Sequence, residues 1–309
     1  MIVFPDPRFF ALDQEVMLSR SLFAPWTTLP ALLLIALIGG GSLALLRRRP
    51  VAAFCGLGFL IALAPESSLI PIELMFDHRI YLPSLFILPP AAAALVIRLG
   101  PRRSVPCLLI CALLLGSITL SRNRGWQSEL EVWRDSAMKS PGLARPWANL
   151  CAALVGEGME ERNPLKIGKA ALYCERSLRL GLDDPFPLVN LGVARWLTGR
   201  PEEARRLFRE ATDNHPDSAR AHYNYGVILE TGGADGIGPD PEAALASYER
   251  ALLADAFHYE ARLRKMVILT GQGRESEART EFDLLNRLFP DRRERTESAL
   301  RGAVSPAGP

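Results

Sequence analysis

Hydrophobic and polar positions divide the 309-residue chain near residue 120. Before that point Leu, Ile, Ala and Pro gather into four apolar stretches, residues 28–46, 51–64, 80–99 and 105–120, with charges confined to short clusters between them. Beyond Ser121 charges recur every few residues, and apolar residues return one helical turn apart, as Ala204 and Phe208 do. The first pattern predicts membrane-crossing helices and the second amphipathic ones, so the expected fold class is all-α throughout. A helix needs ~20 apolar residues to cross the ~30 Å hydrocarbon layer, which the first and third stretches supply. The fourth is slightly short, and 51–64 needs help from its flanks or is re-entrant; about four spans are expected.

Charge placement orients these spans, because Lys and Arg in short loops stay cytoplasmic. Arg47, Arg48 and Arg49 follow the first span, and Arg98, Arg102 and Arg103 follow the third, so both loops are expected inside. The loop between them, PESSLIPIELMFDHR, carries Glu66, Glu73 and Asp77 against a single Arg, which suits the outer face. By alternation residues 1–27 and everything after residue 120 lie outside the cytoplasm, in a periplasmic or lumenal space. MIVFPDPRFFALDQEV lacks the basic lead into an apolar core that a signal peptide has. The expectation is therefore that the chain begins partway through a longer membrane protein, the alternative being translocation of the N-terminus by the first span. Overall charge is nearly balanced at +2, which argues against a dedicated nucleic-acid binder.

The second half repeats itself. In residues 190–216, NLGVARWLTGRPEEARRLFREATDNHP, small and large residues come in a fixed order: Leu191 and Gly192, then Ala204, Phe208, Ala211 and Pro216. A small residue on a first helix lets a second approach, Ala204 and Phe208 face back onto it, and the proline ends the unit. The register returns with Tyr225, Gly226, Ala244, Tyr248 and Ala251, and again with Gly273, Ala278, Phe282 and Pro290; upstream it is carried by Trp147, Leu150, Ala170, Cys174 and Ser177. This pattern resembles the tetratricopeptide repeat, whose standard length is ~34 residues. Units are expected at 144–184, 185–218, 219–258 and 259–292, forming an α-solenoid, with GADGIGPDP and EERNPLK as expansions. Trp133 precedes Pro141 by the interval that separates Phe208 from Pro216, so Glu129–Lys139 reads as a half repeat within a connector, 121–143. Residues 293–309 are expected to form a polar capping helix and a disordered tail, VSPAGP.

Two stretches carry a finer resemblance. PESSLIPIELMFDHRIYLPS, residues 65–84, and SRNRGWQSELEVWRDSAMKSPGLARPWANL, residues 121–150, in this order around a last span, resemble the C-terminal half of the transmembrane, tetratricopeptide-repeat-containing O-mannosyltransferases and their bacterial relatives. That resemblance implies a GT-C-type transferase, taking sugar from a polyprenyl-phosphate carrier and passing it to Ser or Thr hydroxyls, with the repeats recruiting the acceptor protein. It also implies an acidic residue on an early outer loop. Nothing around Asp6, Asp13 or Glu15 matches such a loop, so no catalytic residue is assigned and this chain alone is expected to be inactive without a catalytic partner subunit. Arg79 with His78 and Asp77 is the candidate contact to the lipid phosphate, since a planar guanidinium suits phosphate oxygens. The alternative is that these charges, with Tyr81, only fix the depth of the span.

Other chemistry is sparse. His78, His215, His222 and His258 are scattered and no His or Cys pair has zinc-site spacing, so no metal is expected, nor any cofactor within the chain. Cys151 and Cys174 occupy facing positions on the two helices of the first repeat, making them a candidate disulfide in an oxidising compartment, with two buried thiols as the alternative. Asn190 and Asn224 on first helices, with Arg195, Arg220 and Arg262, are the candidate lining of a peptide-binding groove; solvated helix faces are the alternative. The rival to the transferase reading is a non-catalytic membrane scaffold that assembles protein partners through the same repeats.

Overall fold

Proline and glycine set the joints of the first half. Pro50 and Pro101 open helices at a position where the missing N–H costs nothing, and Gly100 (φ +74°) makes the reversal before Pro101. The computed structural model describes residues 13, 19, 21–64, 81–232 and 238–304; the Asp77, His78 and Arg79 cluster, Asp6, Glu15 and the tail 305–309 lie outside the described residues. Two units are present, Met1–Leu143 and Ala144–Pro309. Helices make up both, and among the described residues the only β feature is an isolated bridge between Ser21 and Ala24.

In the first unit α1 (Thr28–Leu45), α2 (Pro50–Leu63), α3 (Tyr81–Leu85), α4 (Leu88–Leu99), α5 (Pro101–Arg124) and α6 (Glu129–Lys139) follow in order. The third apolar stretch departs from the single helix that counting apolar residues suggests. Pro89 and Pro90 remove two helical N–H groups and clash with the carbonyls of the preceding turn, so the helix breaks at Phe86 and Ile87. Among the described residues three segments are long and apolar enough to cross a membrane: Thr28–Leu45, Tyr81–Leu99 and Pro101–Arg124. By contrast α2, with 14 residues, rises only about 21 Å, short of the ~30 Å hydrocarbon layer. Small residues pack α2 closely: a Cβ at Gly56 would lie 2.0 Å from Ser42 Oγ, and one at Gly58 2.3 Å from the Phe86 ring. Ser128 caps α6 by accepting from the Glu131 N–H at 3.2 Å. At its other end Ser140 Oγ donates to the Asp13 carbonyl (2.8 Å), and the Asp13 N–H donates to Ser136 Oγ (3.2 Å).

The second unit is a row of helix pairs, α7 (Ala144–Glu160) with α8 (Pro164–Arg179), α9 (Pro185–Leu197) with α10 (Pro201–Asn214), α11 (Ala219–Thr231) with α12 (Pro241–Ala254), and α13 (Tyr259–Gly271) with α14 (Glu275–Leu288). A 3-10 turn, Pro290–Arg292, leads into α15 (Arg293–Val304), which lies against α13. Each pair also packs on the next, which is the solenoid arrangement. Asn163, Asp184, Ser218 and Asp240 cap second and first helices with side-chain oxygens, and His258 caps α13 through Nδ1.

One contact recurs inside the pairs. A Cβ at Gly192 would lie 2.5 Å from the Phe208 ring, and one at Gly226 2.5 Å from Tyr248, so in each pair a large ring from the second helix sits on the bare backbone of the first. Phe208 and Tyr248 are almost wholly buried. In the last pair the same two positions hold Met266 and Phe282, packed in one cluster. In the first they hold Cys151 and Cys174, joined by a disulfide with Cα atoms 5.3 Å apart.

Candidate functional site

The first helices start at residues 144, 185, 219 and 259, so their sixth positions are Asn149, Asn190, Asn224 and Arg264. Asn149 and Arg264 are members of this series that reading the sequence one residue at a time overlooks; the common register contains them. Asn149 Nδ2 donates to the Arg145 carbonyl (3.0 Å) and Asn224 Nδ2 to the Arg220 carbonyl (2.8 Å). Each amide is thus anchored to its own helix, with its oxygen as the remaining acceptor.

Asn190 is placed differently. It is 3% exposed, and its Oδ1 accepts from an Arg220 guanidinium N–H at 3.0 Å across the α9–α11 junction. Because a guanidinium can only donate, the amide oxygen must face it, and Nδ2 is left buried without a partner. Arg220 lies over the Phe186 ring, 4.7 Å from its centre. Burial around the guanidinium pushes its pKa down, further than the charge of Asp184 raises it.

Farther along the row Arg264 donates to Glu230 Oε2 (3.0 Å), which also accepts from Tyr248 OH (2.6 Å). Burial and the hydrogen bond to Glu230 hold the Tyr248 phenol protonated well above the usual tyrosine range. Burial opposes the charge on Arg264, but Glu230 outweighs it and raises the Arg264 pKa. Tyr223 stacks near His258, ring centres 4.9 Å apart. Arg220, Asn224, Tyr223, Glu230 and Arg264 thereby supply an at least partly exposed polar and aromatic strip on α11 and α13, with Asn190 of α9 buried and bonded to Arg220.

The remaining arginines of the expected lining lie elsewhere. Arg262 is buried, 9% exposed, donating to Glu281 (2.7 Å) and to the Ala256 carbonyl (2.9 Å), so it is an interior ion pair and not a groove cation. The reason is positional: its side chain points toward α14, where Glu281 also meets Lys265 at 3.1 Å. Arg195 reaches Glu175 on α8 and Glu203 on α10, tying neighbouring pairs together. His222 is likewise structural, its Nε2 2.9 Å from the Pro216 carbonyl. Among the described residues no group of His, Cys, Asp and Glu side chains could hold a metal.

Comparison with known proteins bears on this second unit. Residues 189–235 and 240–292 match the family model for the tetratricopeptide repeat. Among solved structures the chain is similar to YrrB, described as a TPR protein with an unusual peptide-binding site, at 17% identity over 69% of this chain and 97% of that one, TM-score 0.40. Two structures of MamA are also similar, each at 14% identity, one over 54% of this chain and 89% of that one (TM-score 0.39), the other over 58% and 90% (TM-score 0.40). No curated protein matches the chain. The protein is therefore all-helical, with tetratricopeptide repeats in its C-terminal part and apolar helices on its N-terminal side.

Proposed function

We propose that this chain is a membrane-anchored interaction protein, with residues 28–120 in the bilayer and the repeats, 144–292, binding a protein or peptide outside the cytoplasm. The observation that carries the anchoring is the apolar surface of α1, α3–α4 and α5, whose most apolar windows are each only 6% buried. Leu37 is 72% exposed, Ile97 83% and Leu113 73%, an apolar area far larger than soluble monomers leave in water. Hydrocarbon is the solvent such helices fit.

Two further features support the orientation. Exposed Trp26, Tyr81 and Trp126 stand at the ends of the spanning segments opposite the arginine clusters, as interfacial aromatics do, and Arg122 sits over the Trp126 ring. The disulfide favours an oxidising compartment for the repeats. The binding role rests on the strip over α11 and α13. A photo-crosslinking residue at Asn224, which is partly exposed there, should capture a protein in intact cells. The same residue at Arg206, exposed on α10, should not; adducts at neither position, or equally at both, would refute the role.

Within this reading lies the finer one, the C-terminal part of a lipid-linked-sugar-dependent O-glycosyltransferase whose repeats recruit the acceptor. It rests on residues 65–84 and 121–150, and in it Asp77, His78 and Arg79 hold the carrier phosphate while a catalytic partner subunit supplies the acid. Arg79→Ala should then abolish carrier-dependent transfer by the complete enzyme; unchanged turnover with normal insertion sinks that role.

A further inference from the structure

Two leucines of the first helix pair face solvent, Leu165 (85% exposed) and Leu172 (60%). Single exposed leucines are ordinary, so what stands beside them decides their meaning. Leu165, Lys169, Leu172, Arg176 and Arg179 follow one another along α8 at alternating steps of four and three, which puts them on one helix face, and all are exposed. Charge sets this helix apart from the other second helices. It carries Lys166, Lys169, Arg176 and Arg179 against Glu175 alone, whereas acids outnumber bases on α10, α12 and α14. The register that aligns Cys174 with Phe208 gives α10 Glu203, Arg206, Glu210 and Asp213 where α8 has Lys169, Leu172, Arg176 and Arg179. Glu175 is engaged by Arg195, and Lys166 by Glu157 and Glu161. Arg176 lies over the Trp147 ring, 4.0 Å from its centre. Among the described residues no carboxylate pairs with Lys169 or Arg179.

We infer that this face of α8 docks on an anionic bilayer surface, with Leu165 and Leu172 entering the acyl boundary and Lys169, Arg176 and Arg179 meeting lipid phosphates. The inference rests on the reading of the chain as membrane-anchored and adds a second, peripheral contact made by the repeats themselves. Leucines interleaved with uncompensated cations are what a helix lying in the headgroup plane presents, because the long Lys and Arg stems let the charges stay at phosphate depth while the apolar side chains go deeper. Each cation is worth roughly fivefold in occupancy beside an anionic leaflet. The chain also supplies the bilayer at high local concentration, since α8 begins forty residues after α5 ends at Arg124. A lipid surface is the occupant that both properties of the face, its charge and its tether, select. Docking through α8 occupies a second helix and leaves the strip on the first helices α11 and α13 to a protein partner.

The test uses the full chain with Cys55, Cys107 and Cys111 replaced by Ser, the Cys151–Cys174 disulfide intact, and a nitrobenzoxadiazole label on Leu172→Cys or, as the control, on Arg206→Cys. Each is placed in lipid nanodiscs of phosphatidylcholine alone or of phosphatidylcholine with phosphatidylglycerol, with and without a nitroxide-bearing lipid. In the anionic discs the label at 172 should shift to the blue and lose at least roughly half its emission to the nitroxide, while the label at 206 stays bright in both kinds of disc. Lys169→Glu with Arg179→Glu, both at exposed positions, should return the label at 172 to its neutral-disc emission with the circular dichroism unchanged. A label at 172 that the nitroxide quenches equally in neutral and anionic discs, or that survives the double substitution unchanged, overturns the docking. A blue-shifted but unquenched label also overturns it, because a second copy or a co-purified protein then covers the face. Insertion with a label at 172 as bright and exposed as that at 206 overturns the docking and leaves the anchor standing; failure of the chain to enter either disc overturns both.

Discussion

Reducing the bond between Cys151 and Cys174 should loosen the first helix pair and leave the last one as it was. The two residues are 23 apart in sequence, and closing a loop of that size removes denatured-state entropy worth about 3.4 kcal/mol at 25 °C in the chain-entropy treatment. The bond occupies the positions where the next two pairs place Gly192 under Phe208 and Gly226 under Tyr248. Without it α7 and α8 meet through two small thiols where their neighbours have a ring, so little packing compensates. Stability in stacked repeats is the sum of each unit and its neighbours' contacts, and an outer pair opens locally. Hydrogen exchange read by mass spectrometry on the full chain in micelles, oxidised and reduced, should show protection of residues 144–179 falling by up to roughly 300-fold, since about 1.4 kcal/mol is tenfold. Peptides from α13 and α14 should not change. Thiol titration of the denatured, unreduced chain should find three reactive groups, Cys55, Cys107 and Cys111, and five after reduction. Five before reduction, or identical exchange in both states, refutes the argument.

Further outcomes follow from the same packing. Gly226→Val forces its branched side chain into the Tyr248 ring and should destabilise the repeats by about 1–3 kcal/mol, seen as a lower Tm of the soluble-domain transition; an unchanged Tm would contradict the close approach. Glu281→Leu strips the partner from buried Arg262 and should cost roughly 3–5 kcal/mol in urea unfolding, whereas a loss under ~1 kcal/mol would mean that the pair is solvated. The Tyr248 and Lys265 pKa values are both raised, Tyr248 by burial and the Glu230 bond, Lys265 by Glu249 and Glu281 against burial. Both groups hold protons in the folded state that the unfolded chain releases near pH 10, so stability should be level below that value and fall as pH climbs past it. Tyr248→Phe should flatten part of that alkaline fall, and equal slopes for variant and parent would dispose of the tyrosine's share.

Legibility of this fold varied with the range of the interaction. The Gly192–Phe208 and Gly226–Tyr248 contacts are readable because a fixed register repeats them, and the same register puts Cys151 opposite Cys174. Helix joints were equally local: Gly199 (φ +77°) and Gly273 (φ +72°) fill one turn position in two pairs. The break before Leu88 was present in the residues Pro89 and Pro90, yet a count of apolar residues passes over it because proline affects hydrogen bonding and not hydropathy. What the sequence hid was the destination of long side chains. Arg262 and Arg220 look alike as helix arginines, but one turns inward to Glu281, 19 residues away, and the other reaches Asn190, 30 residues back. The unpartnered Asn190 amide exists only because of that reach. The cluster Asp77, His78 and Arg79 remains a reading of sequence, lying outside the described residues.

Alkaline carbonate extraction followed by protease treatment tests most directly the proposed bilayer anchor with outward-facing repeats. Membranes from cells expressing the chain should retain it through carbonate washing, and protease added to intact, outer-barrier-stripped cells should digest residues 144–292. Release into the carbonate supernatant, or repeats that become cleavable only after the membrane is lysed, would contradict it.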